Sequence, residues 1–287
     1  MNRHIKGSAL IIAAMVLFGL VGTFVRLINI RPALLIFAST LLITIVLLIY
    51  YIISRRVKEL LGKKLMWLYV LTGLFLIGNL YSYLKAYALT TFANSVFSHY
   101  MAPVIAALSA PLIVDEKIEK VTIKALVISV MGLILISYSN LSFGSMHLKG
   151  IMFGLVSAIF YGLSINIVKR LLNNDATALS ILFYQSLIPC IVMVPFLGIG
   201  SFIVIKEKIT LIASYTLFAT FVPTLMFLSG VRHVKAQHTG ILAYSEVISA
   251  ILFGFLLFKE VPSLMTIIGG ALILFSGYLI IRVQSDS

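Results

Sequence analysis

Apolar runs long enough to cross a bilayer succeed one another along almost the whole of this 287-residue chain. A spanning helix needs about 20 predominantly apolar residues, each adding 1.5 Å of rise. Breaking the sequence at charged, Pro, Gly or Asn connectors leaves ten such runs, near 7–27, 33–53, 66–84, 92–113, 121–139, 148–168, 178–200, 210–230, 238–258 and 264–282. TTFAN at 90–94 is the only break between the third and fourth. In hydrocarbon the backbone polar groups must be paired inside the protein, and runs of this length do so as helices. The expected fold class is therefore all-α integral membrane, with ten transmembrane helices.

The chain is 61% hydrophobic and 11% charged, whereas soluble domains carry roughly 25% charged residues. A soluble fold would have to hide this surface in a core too large for its length. Arg3 and Lys6 precede the first run, but no small-residue cleavage site follows a short apolar core, so that run reads as a retained span. Cys190 is the only cysteine, which excludes an intramolecular disulfide and a thiolate-built metal site. Neither a cofactor nor a metal is expected. The net charge of +13 is scattered over short connectors rather than gathered with aromatics on one element, so no nucleic-acid partner is expected. In a membrane chain such charges orient the spans. With the N-terminus inside, the inner connectors hold 15 Lys and Arg residues and the outer ones 7. This bias predicts a multi-pass protein of the plasma membrane with both termini cytoplasmic.

The chain also repeats itself. MAPVIAALSAPLIVDE (101–116) aligns with SEVISAILFGFLLFKE (245–260) at an offset of 144, with Ala106/Ala250, Leu108/Leu252, Leu112/Leu256 and Glu116/Glu260 in register. LFGLVGTFVR (17–26) aligns with FYGLSINIVK (160–169) at an offset of 143, pairing Gly19 with Gly162 and Arg26 with Lys169. A fixed long offset in two separate segments marks an internal duplication. The predicted repeats are 1–140 and 147–283, with five helices each. Because five is odd, the second copy is expected to cross the membrane inverted, the arrangement in which secondary transporters bind substrate near the midplane.

The Gly-aromatic first span ending in Arg or Lys, the APVIAALSAPLIVDE run closing on Glu116, and the closing GGALILFSGYLII (269–281) resemble the EamA-type transporters of the drug/metabolite transporter superfamily. The resemblance covers about 7–139 and 148–282. It implies ten helices around a central cavity, alternating access, and export or uptake of small metabolites, often amino acids or related compounds, usually driven by ion gradients. The sequence departs from the family at Glu246-Val247, where a Glu-Pro-Val step is usual; Pro103 keeps the equivalent bend in the first half. No proline kink is therefore expected in the ninth span. Pro103 and Pro223 are the candidate hinges.

Of nine acids, Glu246 alone sits well inside a span. An intramembrane carboxylate costs a few kcal/mol and must face protein or water. It reads either as a proton carrier or as a structural acid held by a polar neighbour. His99 lies in the repeat-mate span between Ser98 and Tyr100. It reads as a second proton-coupling group or as a hydrogen-bonded helix contact. Gly162, Asn166 and Lys169 share a face of the sixth span beside Tyr161. The glycines are read as packing, Asn166 and Tyr161 as cavity residues, and Arg26 and Lys169 as interfacial side chains that snorkel at span ends. Asn79, Tyr83 and Tyr87 form a stripe with Thr72 on the third span, and Tyr100 and Tyr244 add aromatic surface. Glu116 and Glu260, beside Lys117 and Lys259, read as solvated pairs. The expected cavity is thus Glu246, His99, Asn166, Tyr161, Asn79, Tyr83, Tyr100 and Tyr244, suited to an amino acid-like or moderately apolar, aromatic solute.

No Walker A, GxGxxG or HExxH motif occurs. A secondary transporter exporting a small metabolite, monomeric or homodimeric, is the leading reading. A non-transporting scaffold, a receptor or a channel is the alternative. An intramembrane serine protease built on Ser164 with His99 or His238 is a remote third.

Overall fold

A computed structural model describes residues 3–61, 64–138, 145–198 and 200–285. The repeat limits drawn at 1 and 140 and the span end drawn at 139 lie outside the described residues. Among the described residues there is no strand. Ten helices are long and apolar enough to cross a membrane: α1 (Arg3–Ile28), α2 (Pro32–Ile53), α3 (Met66–Leu89), α4 (Asn94–Ile113), α5 (Lys120–Ser137), α6 (His147–Asn173), α7 (Ala178–Phe196), α8 (Ile209–Val231), α9 (Ala236–Phe258) and α10 (Leu264–Val283). Four boundaries differ from expectation by four or five residues: α1 starts at Arg3, α3 ends at Leu89, α6 ends at Asn173 and α7 ends at Phe196. α3 continues through Tyr87, because Lys85 extends outward on an exposed helix face instead of ending the helix. α7 closes on a 3₁₀ turn at Val194–Phe196 around Pro195, and Gly200–Glu207 forms a separate short helix.

The helices pack in a reciprocal pattern. α3 lies against α6, and its counterpart α8 lies against α1; α2 packs on α7, α4 on α9, and α5 on α10. Matching helices of the two halves thus meet each other, as the two sides of a two-fold interface do. α5 and α10 run antiparallel: Ser129 donates to Ser276 (2.6 Å), and Gly132 and Gly269 bring the two backbones together. The duplicated glycines repeat one contact. A Cβ on Gly19 of α1 would stand 2.5 Å from Ser249 Oγ of α9, and one on Gly162 of α6 would stand 2.6 Å from the Ala102 carbonyl of α4. Packing is therefore what these glycines do, as expected.

Candidate functional site

Four spans are interrupted. α1 breaks at Gly19-Leu20, and α8 carries a π-helical turn at Thr216–Phe221 just before the buried Pro223. α4 breaks at Tyr100-Met101 and restarts at Ala102-Pro103. α9 breaks at Tyr244. The ninth span thus breaks although no proline stands in it. Tyr244 N donates to Ile241 O (3.2 Å) and Val247 N to Tyr244 O (3.1 Å), a tightened turn made without proline. Tyr100 and Tyr244 are repeat mates at the 144 offset. Their rings stack, with centroids 6.3 Å apart and planes at 29°. The two breaks therefore meet.

Glu246 opens the half-helix Ser245–Phe258, where the helix dipole favours negative charge. It lies deep among the helices yet keeps part of its surface accessible. The Tyr100 hydroxyl is within electrostatic reach of its carboxylate. The hydroxyls of Tyr83, Tyr87 and Tyr161 are also within its electrostatic reach. Glu246 forms no ion pair among the described residues.

Around it the aromatic side chains are linked. Tyr87 donates to Tyr83 (2.8 Å), and their centroids are 4.6 Å apart. The His99 ring stacks on Tyr83 at 4.0 Å and lies parallel to Tyr161, within 1° at 5.5 Å. Ser157 of α6 donates to Asn79 Oδ1 of α3 (2.6 Å), and His99 Nδ1 of α4 bonds the same hydroxyl (2.8 Å). With the serine proton on Asn79, His99 Nδ1 is the donor. Six of the expected residues thus come together: Glu246, His99, Tyr161, Asn79, Tyr83 and Tyr100. Ser157 was missed; its signal was its place four residues before Tyr161 on the same α6 face.

Two expected cavity residues lie elsewhere. Asn166 has no exposed surface; its amide donates to Ala106 O (2.8 Å) and Ser109 Oγ (2.7 Å), clamping α6 to α4. Tyr244 is equally buried. It supports the Tyr100 ring, and its hydroxyl has no partner among the described residues. Two open depressions also lie away from Glu246. One of about 210 Å³ is lined by Leu172, Leu228, Arg232 and His233 at a bundle end; the other runs along a single face of α8.

The span ends differ from expectation. Lys169 does not snorkel: it is 7% exposed and donates to Val231 O (2.9 Å) and Arg232 O (3.1 Å), satisfying the last carbonyls of α8. Nor is Glu116 a solvated partner of Lys117; it accepts from Ala236 N (2.9 Å) and caps α9. Gln237 ties the same end to Thr122 (2.7 Å) and Lys117 O (2.9 Å), and Glu119 pairs with Lys235 and His238. Burial opposes ionisation of Glu119, but the bonds from Lys235 and His238 outweigh it and hold its carboxyl below the usual carboxylate range. At the far end of α9, Glu260 pairs with Arg26 (2.7 Å), whose guanidinium lies 4.6 Å over the Phe258 ring.

Comparison with known proteins gives a consistent result. The model of the EamA-like transporter family matches twice, over 5–138 and 148–282. An uncharacterized transporter of Archaeoglobus fulgidus is 31% identical over 69% of this chain and 70% of its own length. The uncharacterized transporter YxxF of Bacillus subtilis is 24% identical over 97% of the chain and 91% of its own. An uncharacterized transporter of Helicobacter pylori is 26% identical over 97% and 95%. A solved crystal structure aligns over 98% of both chains with a TM-score of 0.78 at 14% identity, a likeness of fold.

Proposed function

This chain belongs to the EamA-like transporter family, and on that premise we propose that it is a secondary transporter working by alternating access of two inverted five-helix repeats. The carried solute is a small metabolite, the direction is export across the plasma membrane, and the termini are cytoplasmic, in keeping with the connector charges. The observation that carries the reading is the placement of Glu246. It is a part-accessible acid with no ion-pair partner among the described residues, within electrostatic reach of Tyr83, Tyr87 and Tyr100 of the first half and Tyr161 of its own half. Solute and proton would meet between the halves. The antiparallel courses of α5 and α10 support the inversion.

Alternating access also needs ends that close in turn. Arg26/Lys169 and Glu260/Glu116 are repeat-related pairs. Lys169 feels the charge of Glu116 at one end, and Arg26 holds Glu260 at the other. The first end adds the α9 cap and the Gln237 and Glu119 ties. The second rests on an exposed ion pair, worth about 0–1 kcal/mol. We read the described state as shut more firmly at the Glu116 end.

Coupling is tested in liposomes with a metabolite that stabilises the purified protein thermally. Its flux is measured with and without a pH gradient. The titratable groups within electrostatic reach of Glu246 are the four tyrosines, with His99 stacked on Tyr83. Wild type should respond to the gradient and Glu246→Gln should not; a mutant with unchanged pH dependence excludes Glu246 as the carrier.

A further inference from the structure

The connector between α8 and α9 gathers positive charge against an open depression. Arg232 and His233 follow the last turn of α8 and line a cavity of about 210 Å³, the space of about seven waters. Its other walls are Leu172 at the end of α6, Ala178 at the start of α7 and Leu228 on α8, with Ser229 beside them. Three helix ends thus frame one cavity, at the face where the basic connectors are in excess.

Two further elements bring charge to the same place. His4 Nδ1 of α1 donates to the His233 carbonyl (2.7 Å), and a Cβ on Gly7 would stand 2.8 Å from the His233 Cβ. Arg3 lies about one turn before Gly7 on the same helix face, so it is turned to this connector. Lys169 of α6 reaches the Arg232 carbonyl from within the bundle (3.1 Å). Acids do not answer these charges. Glu119 is engaged by Lys235 and His238, and Glu116 caps α9 at the Ala236 amide. Asp175, in the connector after α6, is exposed and does not line the cavity. Arg232 is exposed and forms no ion pair among the described residues. His233 registers the imbalance: burial, and then the charges of Arg232, Lys169, Arg3 and His4, hold its imidazole below the usual histidine range, with no carboxylate opposing them.

A guanidinium without a carboxylate partner, beside a histidine and a hydroxyl, suits a phosphate. The planar fork takes two phosphate oxygens at once, and imidazole and serine each add a donor. The setting selects among phosphates. The cavity lies at span ends, the level of lipid headgroups, and basic pockets between span ends hold such headgroups. Its apolar walls suit a glycerol and the methylenes that follow it better than a freely hydrated ion.

We propose that this corner binds the headgroup of an anionic membrane phospholipid, with its phosphate on Arg232 and Ser229 and its glycerol against Leu172, Ala178 and Leu228. The site is separate from Glu246 and independent of the solute carried. A lipid held there joins the ends of α6, α7 and α8 at the face where α9 is already capped.

The test uses the purified full-length protein in neutral detergent with phosphatidylglycerol, phosphatidylcholine of the same chains, or free glycerol 3-phosphate. Thermal stabilisation over a concentration series gives apparent affinities. Phosphatidylglycerol should bind at least about tenfold more tightly than either of the others, the size of one hydrogen bond to a charged group. Arg232→Gln should remove that preference. Lys58→Gln, at an exposed basic position of the α2–α3 connector, should keep it. Ala178→Leu adds bulk to the cavity wall without changing a charge and should also weaken phosphatidylglycerol binding, which decides the matter if Arg232→Gln does not fold. The proposal is overturned if phosphatidylcholine matches phosphatidylglycerol, or if glycerol 3-phosphate does, which would make the site one for soluble phosphates. It is equally overturned if Arg232→Gln and Lys58→Gln weaken binding alike, which would leave only diffuse attraction to a basic face, or if Ala178→Leu leaves binding unchanged.

Discussion

One hydroxyl at Ser157 holds two side chains of the aromatic cluster's surroundings at once, Asn79 from α3 and His99 from α4. Both partners are polar groups in an apolar setting, so losing the bridge leaves each unpaired, at about 1–3 kcal/mol per group. Ser157→Ala should therefore lower the thermal midpoint in detergent, and Ser157→Thr should restore part of it; an unchanged midpoint for the alanine variant would show that the bridge holds nothing. Residues of this kind mark the limit of what could be read in advance. Glu246 was legible because it is the one acid far inside a span, and hydrocarbon tolerates no idle carboxylate. Asn166 was misplaced because the helix face that lines a chamber also packs against a neighbour, and spacing cannot separate the two. Its amide found Ala106 and Ser109 on α4. Lys169 was misplaced for a related reason: the carbonyls that hold it belong to α8, far away in sequence.

Among elements, α9 carries most of the argument. It is capped by Glu116, tied by Gln237, broken at Tyr244, and opens its second half with Glu246. Its existence was plain from the apolar run at 238–258. Its break was not, because Val247 stands where a proline would announce one, and the turn is made by the stacking of Tyr244 on Tyr100. The Glu119–Lys235 tie at its start makes a pH prediction. The Glu119 carboxyl is held below its usual range in the folded protein. Its contribution to stability is therefore full above the ordinary carboxylate pKa of about 4.3 and is lost as pH falls through the lower folded value. Compared by thermal unfolding at a series of pH values, wild type should exceed Glu119→Gln at neutral pH, and the two should converge in acid. A gap that widened on acidification would show that the tie works in the opposite sense.

Across the whole molecule, the duplication explains why matching helices meet and why equivalent charged residues, Arg26 with Glu260 and Lys169 with Glu116, stand at opposite ends. Ten spans and two copies were legible because length and apolarity are properties of the chain itself. The reciprocal packing needed the folded molecule. The central claim is that the ends must open in turn for solute to pass. Its most direct test replaces Cys190 with serine, places cysteines at Arg26 and Glu260, and bridges them in liposomes with a bis-methanethiosulfonate reagent, which joins them through reducible disulfides. The account predicts that the bridge stops flux and that reductive cleavage restores it; undiminished flux through the bridged protein would contradict alternating access.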